Sequence, residues 1–442
     1  MTADTVIAEV EAAPLLAADG GQPTLRSTAW KAVLLLSLLV LGAGIVRLAF
    51  SPIQEAAKLE LGLTDYQISL IQGIAAALPM AIIAIPLGWL TDHSKRTRLI
   101  LILSLTWTIG MIWTAFAQDF TSLFAARLLA GLGTMSLIPV AISVLSDLSP
   151  PESRGRAMLF IGVGNTLGPA LAFLLGAGLF TAFSGNLDLP GLSLSAWREA
   201  SLTFGIASAI LILPIFLLRE PSRHEVENSS NSLTLMMQAL WRRRAFLFPL
   251  FIGQISVIMA DASAGVWAVP VLQRDFGQSV GAAGGLIGIL LIFAGLLGPV
   301  IGGLVADRGH KSSVRGGILI GAVVASAIGV PTALFPIMTG VPAFAGVLFL
   351  LLTAGAITGL ITATAIAVLV PNEERGVCLG AFMILGSLIG LGVAPMLVTL
   401  GSQAMGGEQH LAESLAVVGA VTGLISLIGF VVAMRNAPVK AV

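Results

Sequence analysis

The chain has 442 residues, of which 56% are hydrophobic and only 10% are charged, and its mean hydropathy is +0.97. A soluble domain carries about 25% charged residues, so this class is excluded, and the high hydrophobicity excludes a disordered chain. The 23 basic and 23 acidic residues cancel, which leaves no global field for nucleic acid, and Cys378 alone cannot form a disulfide framework. The composition therefore indicates a polytopic helical membrane protein.

Twelve apolar stretches are each long enough for a membrane helix, which needs about 20 residues. They are continuous, whereas the strands of a membrane barrel alternate apolar and polar residues. In chain order they cover residues 30–56, 66–90, 98–117, 121–147, 156–183, 198–218, 246–272, 279–306, 315–337, 341–370, 378–401 and 411–434. Residues 1–29 and 435–442 are predicted to be cytoplasmic tails, because residues 1–29 lack the basic region and short apolar core of a signal peptide.

The basic residues predict the orientation of these spans. With the N-terminus inside, 18 of the 23 Lys and Arg residues fall in inner segments and only 3 in outer ones, while Arg47 and Arg127 lie within spans. Cytoplasmic loops of membrane proteins carry an excess of Lys and Arg. The sequence therefore predicts that both termini are cytoplasmic.

An internal repeat divides the chain into two halves. Asp92 and Asp307 each follow a glycine by four residues and precede a basic cluster, and they lie 215 residues apart. A second pair, Arg154 and Arg375, is offset by 221 residues. The sequence predicts two parallel six-helix halves, residues 30–218 and 246–434, as in many transporters. The linker 219–245 is predicted to be cytoplasmic, with its second part either lying along the membrane surface or forming a plain solvated tether.

These residues resemble the major facilitator superfamily over nearly the whole chain. The family's loop motif Gly-x-x-x-Asp-Arg-x-Gly-Arg-Arg is matched at Gly88, Asp92 and Arg96, and its second copy at Gly303, Asp307, Arg308 and Lys311. The span 4 motif Leu-x-x-x-Arg-x-x-Gln-Gly-x-Gly is matched at Leu123, Arg127, Gly131 and Gly133. The resemblance implies an all-α major facilitator fold with twelve membrane helices and a transport function.

Within that superfamily the N-terminal half is most similar to the spinster-type lipid transporters. Val46 replaces the span 1 aspartate of that type before Arg47, and Thr134 replaces its span 4 glutamate after Gly133. The resemblance assigns proton coupling to those carboxylates, so their loss argues against proton-driven export. The segment from Gly164 to Pro169 is similar to the Gly-Pro motif of drug/proton antiporters, which favours export.

Three ionisable side chains lie within spans: Arg47 in span 1, Arg127 in span 4 and Asp261 in span 7. Such residues are costly in a membrane and are functional candidates by default. We expect all three to face a central cleft, where the two guanidinium groups attract an anionic substrate group. Asp261 would pair with Arg47 in the absence of substrate and is the candidate for proton coupling. The alternative is structural: a satisfied pair between the halves, with Arg127 extending to the membrane interface.

Four further residues are candidate substrate contacts: Gln72, Asn165, Gln254 and Trp267. Amides in membrane helices also tie helices together, so helix packing is the competing interpretation for the first three. For Trp267 the competing interpretation is an apolar lining or contact with lipid.

A gating role is predicted for charged residues at the inner ends of the spans. We expect Asp92, Arg96 and Asp147 to form one device, in which an Arg96–Asp147 bridge closes the inner side. Asp307 with Arg308 or Lys311 would be the second copy. The alternative is that the basic residues only determine topology.

The chain shows no catalytic constellation, no metal-ligand pattern among its four histidines and no phosphate-binding loop, so we predict neither an enzyme nor a cofactor. The predicted function is a secondary transporter of a small organic or amphipathic anion, proton-coupled and operating by alternating access. The alternatives are a lysolipid or drug-like efflux antiporter and, in another class, a membrane sensor or scaffold. We expect a monomer in the cell (inner) membrane that contacts membrane lipids and no nucleic acid.

Overall fold

The structure is a computed structural model that describes residues 27–149, 151–185, 191, 193–218, 220–221, 238 and 240–438. Twelve helices in these residues are long and apolar enough to cross a membrane, and this part of the chain contains no strand. The all-α fold with twelve membrane helices is therefore confirmed. Most of the predicted N-terminal tail, most of the predicted linker and the last four residues lie outside the described residues.

The first half contains six long helices. They are α1 (Ser27–Leu48), α2 (Ala75–His93), α3 (Arg96–Phe116), α4 (Phe120–Leu148), α5 (Pro151–Ser184) and α6 (Ala196–Ile212). The first span is not the single helix predicted over 30–56, because α1 ends at Leu48 and helix resumes as a 3₁₀ turn (Ser51–Ile53) and a short helix (Gln54–Leu61). Pro52 accounts for the break, since proline has no N–H to donate and favours the first turn of a new helix.

The second half repeats this plan. Its helices are α7 (Arg244–Arg274), α8 (Val280–Lys311), α9 (Ile320–Thr332), α10 (Val341–Leu369), α11 (Asn372–Leu385) and α12 (Leu411–Arg435). Span 11 continues beyond α11 through a π-helical segment (Gly386–Val393) into a helix at Ala394–Ala404. Span 2 begins with a short helix (Asp65–Ser69) and passes through a π-helical turn (Leu70–Ile74) into α2.

The pairing of helices inside each half shows the repeat directly. In the first half α3 packs on α4 and α6, α1 on α5, and α2 on α4. In the second half α9 packs on α10 and α12, α7 on span 11, and α8 on α10. Each of these four contacts in the first half has a counterpart six helices later, in agreement with two parallel six-helix repeats.

Two seams join the halves. In one, α5 packs against α8, where small residues let the backbones approach. Four glycines of α8 each face a side chain of α5: Gly281 faces Thr181, Gly284 faces Ala177, Gly288 faces Leu174 and Gly295 faces Thr166. In the other seam the two π-helical segments meet, and a Cβ on Gly73 would overlap the carbonyl oxygen of Gly392.

We call the side on which α1 begins and α12 ends the terminal face. Among the described residues, every side-chain hydrogen bond between the two halves lies toward the opposite face. These bonds join the segment from Gln54 to Ser69 to the end of α7, to the segment after α11 and to the turn before α12. The halves are therefore closed against each other on the opposite face in this structure.

Candidate functional site

Arg47 lies one residue before the end of α1 and is partly exposed. Its Nη1 lies 3.5 Å from the sulfur of Met135 on α4, and Arg47 takes part in no ion pair among the described residues. A thioether is a weak acceptor, so it does not compensate a guanidinium charge. The structure thus places an uncompensated cation where α1 meets α4.

Arg127 on α4 has a different environment, with only 3% of its side chain exposed. Its Nη2 donates to the carbonyl oxygen of Arg47 at 2.8 Å and its Nη1 to that of Val46 at 3.4 Å. Its guanidinium carbon also lies 5.5 Å from the centre of the Phe50 ring. The carbonyls in the last turn of a helix have no helical donor, so a cation is favourable there.

The expectation that Arg127 faces the cleft as an anion contact is therefore wrong for this conformation. The guanidinium holds the end of α1 instead, and it does so beside Arg47. Its Nε is buried and has no hydrogen-bond partner. Arg127 thus fixes the backbone that carries Arg47, which is a positioning role.

Asp261 on α7 and Arg47 form no ion pair, so the predicted pairing between the halves is also wrong for this structure. The Asp261 carboxylate lies against Gly355 of α10, where a Cβ would overlap its Oδ2. The side chain therefore points into the second half and not toward α1. Its Oδ1 is buried and has no hydrogen-bond partner.

The three amides and the tryptophan lie in different environments in the structure. Gln72 donates to Ser51 Oγ at 2.9 Å and to Gln54 Oε1 at 2.8 Å, which joins span 2 to the end of span 1. Gln254 accepts from Thr362 Oγ1 at 3.0 Å, so it joins α7 to α10. Both amides are buried and serve helix packing in this conformation.

Asn165 and Trp267 are opposites in exposure. Asn165 is exposed on α5 and makes no hydrogen bond to a described residue, so it remains available to a ligand. Trp267 is fully buried, and its Nε1 donates to the carbonyl oxygen of Pro395 at 3.1 Å. Its predicted place in the cleft lining is therefore wrong for this conformation, because the ring lies in the core between α7 and span 11.

On the terminal face the structure brings Arg96 and Asp147 together in an ion pair. Arg96 is nearly buried and also bonds Glu220, at 3.1 Å from its Nε to Oε1. Glu220 accepts in addition from Thr97, from its N–H at 2.9 Å and from its hydroxyl at 2.8 Å. Burial alone would raise the pKa of Glu220, but the hydrogen bonds from Thr97 and Arg96 outweigh burial and lower it.

The other predicted gating residues do not join this cluster. Asp92 is exposed and makes no bond to Arg96, so the expectation of a single device with three members is wrong here. Asp307, Arg308 and Lys311 are exposed and form no ion pair with a described residue. In the second half Glu374 is paired instead with Arg242 and Arg243 at the end of the linker.

The opposite face holds a cluster of charged residues that the sequence analysis did not identify. We call it the interhalf network; its five members are Glu55, Lys58, Asp65, Arg274 and Glu408. Arg274, the last residue of α7, bonds Glu55 and Asp65 at 2.7 Å each. Lys58 bonds Asp65 at 2.7 Å and Glu408 at 2.5 Å. Three of these charges belong to the first half and two to the second, so the network bridges the halves.

The model of the Major Facilitator Superfamily matches residues 34–395 of this chain. The chain belongs to that superfamily. This membership establishes a multi-pass membrane transporter family and not an enzyme family, in agreement with the twelve apolar helices.

Similar proteins of the superfamily include transporters of small organic compounds. The chain is 28% identical over 380 residues to a probable 4-methylmuconolactone transporter of Cupriavidus pinatubonensis, and the match covers 84% of each chain. It is 25% identical over 401 residues to the cis,cis-muconate transport protein of Acinetobacter baylyi, covering 86% of this chain and 89% of that one.

Among solved structures, the chain resembles a bacterial homologue of the human lysosomal transporter Spinster in an inward-facing, unoccupied conformation. The TM-score is 0.75 at 20% identity, with 93% of this chain and 96% of that chain covered. At this level of identity the likeness concerns the fold of the superfamily, and it agrees with the spinster-like motifs.

Proposed function

We propose that the protein moves a small organic anion across the membrane by alternating access, driven by a proton gradient. One observation carries the proposal: Arg47 is a cation inside the membrane region and has no carboxylate partner among the described residues. An intramembrane charge is costly unless it is paired, so a mobile anion is the natural partner of Arg47. One relative is a cis,cis-muconate transport protein, and cis,cis-muconate is a small organic anion.

The direction of opening follows from the contacts between the halves. The interhalf network and the α5–α8 seam support a conformation that is closed on the opposite face and open toward the terminal face. The excess of Lys and Arg on the terminal face supports a cytoplasmic placement of both termini in the cell membrane. Transport then requires the network to break while the terminal face closes. The Arg96–Asp147 pair lies within the first half and is formed while this face is open, so closure needs a further contact from the second half.

Proteoliposomes that contain the purified protein test the anion site. We expect uptake of radiolabelled cis,cis-muconate, and Arg47→Gln lowers it roughly 10- to 150-fold, because a hydrogen bond to a charged group contributes about 1.5–3 kcal/mol. Arg435→Gln is the matched control, since it removes an exposed Arg at the end of α12. Equal uptake by both variants would refute the role of Arg47.

The same liposomes test the coupling. Inward proton gradients are imposed at constant membrane potential, and uptake is measured in the wild type and in Asp261→Asn. We expect the wild type to respond to the gradient and the variant not to respond. An unchanged pH dependence in Asp261→Asn means that Asp261 does not carry the proton.

A second candidate function is export of an amphipathic anion such as a lysophospholipid. It is favoured by apolar side chains of α5 near the terminal face, where Leu159 and Val163 are exposed beyond the α5–α8 seam. Stabilisation of the purified protein by a lysophospholipid, without stabilisation by cis,cis-muconate, in a thermal-shift assay would favour this candidate.

A further inference from the structure

Asp261 is chemically isolated within the second half. By sequence, the six predicted spans of that half contain no other acidic or basic residue except Arg315 and Glu413, which lie at span ends. Asp261 is about 20 Å along the helix axis from Arg274 and about 26 Å from Arg244, at 1.5 Å per residue. The carboxylate therefore lies in the middle of the membrane region.

The space for this carboxylate exists because residue 355 is glycine. Asp261 Oδ2 rests on the backbone of α10 at Gly355, and a Cβ there would overlap it. Oδ1 is buried without a hydrogen-bond partner, although the side chain as a whole remains partly exposed. The glycine thus leaves space for the carboxyl group, but Oδ1 of that group has no hydrogen-bond partner.

The carboxyl group borders a cavity of about 20 Å³ between α7, α9, α10 and α12. This is room for about one water molecule. Its polar lining consists of Asp261, Ser326, Ser426 and Thr358, and the rest is mostly glycine and alanine. The Ser326 and Ser426 oxygens are 3.0 Å apart, so one hydroxyl donates to the other and one hydroxyl proton remains free.

No countercharge faces this cavity from the packed elements. α9, α10, the π-helical segment Gly386–Val393 and the helix Ala394–Ala404 contain no titratable residue. The charged residues of α12 and α8 lie near their ends, and the 3₁₀ turn Ser51–Ile53 has none. An ionised carboxylate that has one oxygen buried without a partner is unfavourable, so a proton or a cation stabilises Asp261.

The residues that line the cavity decide whether a proton or a metal cation binds there. A hard metal ion takes six or more oxygen ligands, whereas this cavity offers one carboxylate and three hydroxyls among apolar walls. We propose that Asp261, Ser326 and Ser426, with one enclosed water molecule, form a proton-binding site inside the second half, positioned by Gly355 and separate from the anion contact at Arg47. Binding transfers a proton from hydronium to the carboxylate and leaves water, and release reverses this step.

This inference deepens the proposed function and rests on it. Because the carboxyl group points into its own half, the proton and the anion do not meet. Coupling then depends on the packing of α7 against α10, and Gly355 sets that packing at the carboxyl group. Substrate-free protein is consequently sufficient to detect the site.

Infrared difference spectroscopy of the full-length protein in liposomes, titrated with acid in the absence of substrate, tests the proposal. We expect a C=O stretching band of a protonated carboxyl that is lost in Asp261→Asn. Ser326→Ala and Gly355→Ala shift the frequency of this band, because a hydrogen-bond partner is lost or the carboxyl group is displaced. Gly346→Ala, on the same helix with nothing within 4 Å of the added Cβ, and Ser263→Ala, on α7, leave the band unchanged.

A spectrum of Asp261→Asn that equals the wild-type spectrum overturns the proposal. Loss of the band on addition of sodium chloride at constant pH also overturns it, since a metal ion would then displace the proton. If the band behaves as expected but no anion is taken up, the proton site stands and only the proposed substrate fails. If uptake is proton-driven and the band is insensitive to Ser326→Ala and Gly355→Ala, the proposed geometry fails and the transport function stands.

Discussion

Arg274→Gln should shift the protein toward the conformation that is open on the opposite face. The substitution removes four hydrogen bonds, two to Glu55 at 2.7 and 3.0 Å and two to Asp65 at 2.7 Å. Asp65 is 1% exposed and, among the described residues, keeps only Lys58 as a charged partner. Removal of one partner of a buried ion pair costs about 3–5 kcal/mol, and Arg274 is 22% exposed, so solvent screening reduces this figure to about 2–3 kcal/mol.

A free-energy change of this size corresponds to a roughly 30- to 150-fold change in the conformational equilibrium, at a factor of ten per 1.4 kcal/mol. Pulsed electron–electron spin resonance measures the shift. Spin labels are placed at Leu59→Cys in the first half and Met405→Cys in the second, both exposed on the opposite face, with Cys378 replaced by alanine. We expect a longer distance to become the major population in the Arg274→Gln variant.

The control is Arg198→Gln on the same face. Arg198 bonds Glu60 at 2.7 Å, and both residues belong to the first half, so its loss removes an ion pair without uncoupling the halves. The distance distribution in this variant should equal that of the parent. Equal distributions in Arg274→Gln and Arg198→Gln would refute the interpretation that the interhalf network holds the two halves together.

Three further outcomes are expected. Hydrogen bonds lower the pKa of Glu220 in the folded state, so its contribution to stability is present above its unfolded pKa and is lost as the pH falls through the lower folded value. Glu220→Gln should therefore flatten the acid side of the curve of melting temperature against pH. Gly73→Ala places a methyl group on the carbonyl oxygen of Gly392, so transport in liposomes should fall sharply, whereas Gly346→Ala, with open space around the Cβ, should transport normally. Arg127→Met leaves two carbonyls at the end of α1 without a donor, at about 1–3 kcal/mol each, which should lower the melting temperature; an unchanged melting temperature would contradict its capping role.

The sequence predicted the twelve spans and the repeat because these depend on patterns along the chain. Continuous apolar runs of sufficient length have few alternatives in a membrane, and the offset between Asp92 and Asp307 marks the repeat without any structure. The break at Pro52 and the two π-helical segments were missed. They depend on local backbone geometry and on the tight approach of Gly73 to Gly392, and neither leaves a hydropathy signal.

The sequence identified Arg47, Arg127 and Asp261 as charges within spans, but it did not predict which neighbours their side chains contact. Each residue rotates about 100° around a helix axis, so a side chain one position away faces a different neighbour. The partner of Asp261 is a glycine on α10, and the partners of Arg127 are backbone carbonyls. The type of residue at a position does not predict a contact with a glycine or with a backbone carbonyl.

The interhalf network could not be predicted from the sequence for a related reason. Lys58 and Glu408 are 350 residues apart, and no pattern along the chain joins them. A weak signal existed, because only three basic residues fall in the predicted outer segments and two of them, Lys58 and Arg274, belong to the network. Basic residues are scarce on this face, so each of them is a candidate for specific pairing.

For a ligand to open the opposite face, its binding free energy must be comparable to the free energy that the interhalf network contributes to closure. A ligand shifts a conformational equilibrium only by the difference in its affinity for the two states. A charge-assisted hydrogen bond to Arg47 contributes about 1.5–3 kcal/mol, which is comparable to the loss of about 2–3 kcal/mol expected for Arg274→Gln. Partial exposure of the network, 37% for Glu408 and 22% for Arg274, keeps it in this range. Loss of one partner from a fully buried pair costs about 3–5 kcal/mol, which exceeds what one such hydrogen bond to a ligand supplies.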